Sequence, residues 1–135
     1  MAAVAAEELT FWRMTEVQLR QWVEANPERV NDRDRLGEMP LCVAVFHMKS
    51  LPLTVWLPDE KGADVNARAR EGYTLLHVVE SLGILIALLN RGADPTLLND
   101  DGTTTLMRHS FHGRVACVAR LLQDPAELVG QYSTS

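Results

Sequence analysis

Gly72-Tyr73-Thr74-Leu75-Leu76-His77-Val78-Val79 is followed by the apolar run 84–89 and then by Gly92-Ala93-Asp94-Pro95-Thr96. The stretch reads as two short helices bounded by glycine turns. Two weaker copies flank it. Upstream, Gly37-Glu38-Met39-Pro40-Leu41-Cys42-Val43-Ala44 leads into the run 53–57 and the turn Gly62-Ala63-Asp64-Val65-Asn66. Downstream, Gly102-Thr103-Thr104-Thr105-Leu106-Met107-Arg108-His109 leads into the run 115–122. Each copy opens with glycine and places leucine four residues later, and the leading glycines lie 35 and 30 residues apart. Repetition at this interval marks stacked supersecondary units, because one such unit cannot bury its own apolar face.

Side-chain spacing supports the helices. Ile84, Leu85, Leu88 and Leu89 recur at three- and four-residue steps, as one buried helix face requires. The same spacing predicts a buried face made of Val115, Val118, Leu121 and Leu122. Gly62 and Gly92 suit the left-handed residue that ends a helix. Asp64 and Asp94 suit the turns that follow, where a short carboxylate bonds to nearby backbone amides.

The pattern resembles the ankyrin-repeat family, whose signature runs Gly-x-Thr-Pro-Leu-His-x-Ala, then two helices ending in Leu-Leu, then Gly-Ala-Asp. Gly72, Thr74, Leu76, His77, Leu88, Leu89, Gly92, Ala93 and Asp94 match it. The resemblance implies an all-α fold: a short ankyrin-type solenoid of stacked helix–turn–helix repeats joined by hairpin-like turns. It covers residues from about 30 to 123 and agrees with a period of roughly 33 residues. The expected segments are an N-terminal helical cap or degenerate repeat over 1–29, repeat 1 over 30–66, a shortened repeat 2 over 67–96, repeat 3 over 97–124, and a C-terminal cap and tail over 125–135. Leu75 and Thr105 replace the family's helix-starting proline, and Cys42 and Met107 replace its histidine. Repeat 1 has two extra residues near 58–61. Repeat 2 lacks about three, expected from the end of its first helix and the following turn, which leaves the facing of Glu80, Ser81 and Leu82 open.

Before the repeats, Thr15-Glu16-Val17-Gln18 forms a capping box ahead of Leu19, Trp22 and Val23, and Asn26-Pro27 stops that helix. A second helix is expected in the same segment, with Phe11 and Trp12 packing on the first full repeat. After the repeats, Ala126, Leu128 and Val129 read as a short covering helix with Pro125 near its start, and Ser133-Thr134-Ser135 as a disordered tail.

Composition narrows the function. The 135 residues are 47% hydrophobic and 23% charged, which suits a folded domain and not a disordered chain. The net charge is −5, from 13 Lys+Arg and 18 Asp+Glu, which disfavours a nucleic-acid partner. No apolar run approaches the roughly 20 residues of a bilayer span. The first residues include Glu7 and Glu8 and lack a basic start, unlike a secretory signal. Two distant cysteines, Cys42 and Cys117, fit reduced core positions in an intracellular protein, cytoplasmic or nuclear.

Catalytic chemistry is weakly represented. His109 and His112 are three apart on an expected helix, but zinc takes three or four protein ligands and no Cys or acidic residue stands nearby at a recognisable spacing. Both are expected on an ordinary helical surface, and neither a metal nor a cofactor is expected. His77 is expected to bond to turn backbone, as the resemblance implies. No glycine-rich phosphate loop occurs.

The resemblance therefore implies a non-catalytic protein–protein interaction module or adaptor, whose partner is another protein held by turn tips and first-helix faces. The alternatives are a structural repeat segment of a larger protein, or a groove that binds a ligand or substrate. Carried over by position, the partner-binding residues are Arg33 and Arg35, Arg68, Arg70 and Tyr73, and Asp100 and Asp101 at the tips. On the first helices they are Phe46, His47, Phe111 and His112. Two basic tips beside an acidic one would orient a partner electrostatically. Asn66, in Asp64-Val65-Asn66, is similar to the asparagine that hydroxylases modify in this family, and is a possible modification site.

Overall fold

The computed structural model describes residues 10–123, which form seven α-helices and no strand. The N-terminal residues 1–9 and the expectations for the C-terminal tail lie outside these. The chain divides after Asp64 into two compact units.

In the first unit, α1 (Glu16–Ala25) starts on the expected capping box. The Gln18 amide donates to Thr15 Oγ1 at 3.1 Å, and the Thr15 amide to Gln18 Oε1 at 2.9 Å. Leu19 and Val23 form its buried stripe, and Asn26 caps it before Pro27. Ahead of α1 the described residues form a 3₁₀ turn, Phe11–Arg13, and Met14 behind it is extended, which sets Thr15 to cap α1. Phe11 is fully buried, edge-on to Trp22 at 4.9 Å, whereas Trp12 is 44% exposed. Next come α2 (Pro40–Phe46), with Pro40 in its first turn, and α3 (Leu51–Lys61), capped by Ser50 and closed by Gly62 at φ +74°. Burial of Pro40 through Val45 makes α2 nearly all core.

In the second unit, α4 (Leu75–Val78) has four residues, whereas α6 (Thr105–Phe111) has seven. The missing residues of repeat 2 thus come from its first helix. The chain then exposes Glu80, Ser81 and Leu82, and Ser81 caps α5 (Leu82–Asn90) through Oγ. α7 (Val115–Leu122) buries Cys117 and Leu121, but Val115 is 77% and Leu122 41% exposed, contrary to the expected face. Cys117 and Leu121 are one helical turn apart. Val115 stands two residues from Cys117, on the far side of the helix. α4 lies beside α6, and α5 beside α7.

Three hairpin tips precede the first helices, and their backbones bond alike. The Asp34 amide donates to Glu38 O (2.8 Å), that of Ala69 to Tyr73 O (2.7 Å), and that of Asn99 to Thr103 O (3.1 Å). In two tips a side chain fills the loop. Asp34 Oδ1 accepts from Leu36 and Glu38, and Asn99 Oδ1 from Asp101 and Thr103. Ala69 has no such oxygen, and its tip instead turns through Glu71 at φ +59° and Gly72 at φ +75°.

An asparagine also ties each unit's turns together. Asn31 accepts from the Asp64 amide at 2.9 Å and donates to Gly62 O at 3.3 Å. Asn66 accepts from the Asp94 amide at 2.7 Å and donates to Gly92 O at 3.2 Å. Asn66→Ala should therefore cost about 1–2 kcal/mol, the loss of two hydrogen bonds. Urea denaturation at pH 7 reads this, and a neutral result would show the bridge to be replaceable by water.

Candidate functional site

Helix α6 begins at Thr104, whose Oγ1 accepts from the Met107 amide at 3.0 Å. This start sets which side chains face outward. Met107 is 56% and Phe111 87% exposed, one turn apart. Arg108, between them, reaches back to the preceding tip. Its guanidinium carbon lies 4.6 Å from the centre of the Tyr73 ring, and its Nη1 donates to Tyr73 Oη at 3.2 Å. Tyr73, Thr103, Met107, Arg108, Phe111 and His112 line an open groove of about 480 Å³.

The groove brings together Tyr73, Phe111 and His112 from the sequence expectation. Met107 and Arg108 were missed. Met107 holds the position that His77 holds one repeat earlier, and Arg108 resembles any helical surface charge. The rest are distributed as follows. Arg33 braces its own tip, donating to Gly37 O at 2.9 Å. Arg68 does the same with Gly72 O at 3.1 Å and also reaches Leu98 O. Arg35, Arg70, Asp100 and Asp101 are exposed at the tips. Phe46 is half-buried at the end of α2. His47 follows it, exposed and bonded to the Glu38 carboxylate at 3.0 Å.

His109 overturns its expectation. It is fully buried, with Nε2 donating to Leu76 O at 2.7 Å and Nδ1 facing Arg114 Nη1 at 3.4 Å. Position 109 falls on the core side of α6, one turn from buried Thr105, while His112 lies past the helix end. The two histidines thus share no face. Among the described residues no three metal-binding side chains gather.

His77 meets its expectation. Nδ1 accepts from the Thr74 amide (3.1 Å) and faces Thr74 Oγ1 (2.8 Å), so Nε2 carries the proton and donates to Thr103 O at 2.8 Å. Burial holds the pKa of both His77 and His109 below the ordinary value, and nearby arginines act in the same direction.

Cys42 and Cys117 are free and buried, and desolvation raises both thiol pKa values. Only the thiolate reacts. Labelling of the native chain at pH 7.5 should be at least roughly 100-fold slower than in denaturant. Stoichiometric labelling within seconds would contradict the buried placement.

Paired helices joined by hairpin tips, with a groove beside the first helix and the tip before it, define a helical repeat protein. Residues 71–100 match the ankyrin-repeat family. Over 99 residues the chain is 32% identical to the ankyrin repeat-containing protein P1E11.10 of Schizosaccharomyces pombe, an alignment covering 73% of this chain and 47% of that protein. The chain thus spans about half the length of this relative. Both comparisons support an ankyrin-repeat family; its members are typically non-enzymatic and its repeats are generally protein–protein interaction modules. No helix among the described residues is long and apolar enough to cross a membrane.

Proposed function

We propose that the chain is a non-catalytic adaptor that holds another protein through its hairpin tips and first helices, with repeats over 30–66, 67–96 and 97–124. The observation that carries this reading is Phe111, a phenylalanine 87% exposed in a groove with an exposed methionine and a tyrosine. Exposed aromatic and arginine side chains are the usual anchors of interfaces. Arg70, Asp100 and Asp101 extend the surface along the tips of the second unit; in the first unit Arg35 at the tip and Phe46 and His47 at the end of α2 hold the matching positions. Buried, high-pKa thiols fit an intracellular setting, cytoplasmic or nuclear.

A photo-crosslinking residue placed at position 111 should yield a discrete adduct that the same residue at exposed Val17 does not. The captured protein, purified, should bind the Arg70→Ala chain roughly tenfold more weakly, with the melting temperature unchanged. Equal adducts at both positions, or full affinity after Arg70→Ala together with Phe111→Ala, would refute the assignment. Tyr73 is a poor probe, because its ring packs edge-on against His77 at 5.7 Å and its removal disturbs the core.

Asn66 is the proposed hydroxylation site. Both ends of its amide are engaged in the fold, so a hydroxylase would act on the locally opened turn. The Asn66→Ala chain should gain no oxygen in intact-mass analysis after co-expression, where the parent chain gains one.

A further inference from the structure

Arg108 is the one arginine among the groove's six lining residues, which include no lysine and no carboxylate. Tyr73 Oη takes one hydrogen from Nη1. Nε is buried without a partner, and Nη2 makes no hydrogen bond among the described residues. A guanidinium has five N–H donors and no acceptor, so most of its capacity here is unmet. The neighbouring Arg114 lies 3.8 Å from the Glu80 carboxylate. Among the described residues Arg108 has no acidic neighbour of this kind, only the tyrosine.

We infer that the groove selects an acidic segment of its partner, carrying an aspartate or glutamate beside a large apolar side chain. The inference rests on the interface reading above and names the partner's chemistry. The carboxylate is planar and accepts only, which matches the Nη edge of the guanidinium, Nε being buried. Stacking on Tyr73 holds that edge in place, so little freedom is lost when the ligand arrives. Met107 and Phe111 supply the apolar wall, and the unbranched thioether adapts to the shape of the residue it covers. The chain's net charge of −5 repels acidic segments at a distance, so the selection is made at contact by this one cation.

The test uses amide NMR titrations of the full chain with three capped pentapeptides, Gly-Glu-Leu-Glu-Gly and its glutamine and lysine counterparts. The glutamate peptide should shift the amides of Thr103, Met107, Arg108 and His112. The glutamine peptide should bind at least roughly tenfold more weakly, a charge-assisted pair being about twice as strong as a neutral one. Arg108→Gln should reduce the glutamate peptide to the glutamine level. Phe111→Ala, which removes an exposed ring, should weaken both peptides alike while the spectrum stays folded, which keeps the test decisive if Arg108→Gln does not fold. Equal or tighter binding of the glutamine or lysine peptide at the groove would overturn the acidic selection and leave the interface reading standing. No groove shifts with any peptide would overturn both.

Discussion

Gly72→Ala lowers the stability of the second unit by about 2–4 kcal/mol, combining left-handed backbone strain with a steric clash. Gly72 sits at φ +75°, where an L-residue costs about 1–2 kcal/mol. The added methyl would also meet the Asp100 carboxylate, and would stand 2.9 Å from the Asp100 backbone nitrogen. That nitrogen cannot withdraw freely, because it donates to Glu71 O at 2.9 Å and joins two neighbouring tips. Relief therefore breaks the bond between tips. Gly102→Ala is the control. It has φ +77° but nothing within 4 Å of the new methyl, so only the backbone cost of about 1–2 kcal/mol applies. Urea denaturation followed by circular dichroism separates the two. Equal losses would mean that the second tip adjusts without resistance, and the clash would carry no weight.

The same tip shows where sequence reading stops. Gly62 and Gly92, the Thr15–Gln18 capping box and the apolar runs were legible because each obeys a local rule: a left-handed turn, a cap or a helical period. Contacts between repeats obey no local rule. Asp34, Ala69 and Asn99 each stand three residues before a leading glycine, but that Asp34 and Asn99 fill their loops through backbone amides while Ala69 cannot was not announced by that register. His109 was misplaced for the same reason. The Leu76 carbonyl that holds it comes from 33 residues away, and no spacing within repeat 3 announces it. Val115 was misplaced because its three-residue step to Val118 suggested one buried face, whereas the buried stripe of α7 runs through Cys117 and Leu121. Of the groove, the aromatic residues were visible as candidates. Arg108 was not, because its significance lies in the tyrosine beneath it.

Acidification should destabilise the second unit through His77 and His109. Both are neutral in the folded state. His77 uses Nδ1 as an acceptor for the Thr74 amide, and His109 turns Nδ1 toward the Arg114 guanidinium, so an added proton would face a donor in each case. Burial is the main cause of their lowered pKa. The hydrogen bonds to Thr103 O and Leu76 O oppose it, while Arg108 and Arg68 around His77, and Arg114, His77 and Arg108 around His109, reinforce it. The unfolded chain binds protons near pH 6.5, and the folded chain only at lower pH. Between these points unfolding takes up protons, so stability rises with pH there. The full contribution is present above about pH 6.5 and is lost as pH falls through the folded values. Each histidine adds a limiting slope of about 1.4 kcal/mol per pH unit. His77→Gln keeps one acceptor and one donor but does not titrate. It should lower stability at pH 7.5 and flatten the acid slope, leaving the part that belongs to His109. Denaturant midpoints from pH 8 to 5 measure the slopes, and histidine ring NMR assigns each titration. A flat stability profile, or a His77 ring that titrates above pH 6.5 in the folded chain, would show that these buried nitrogens are not held neutral by the fold.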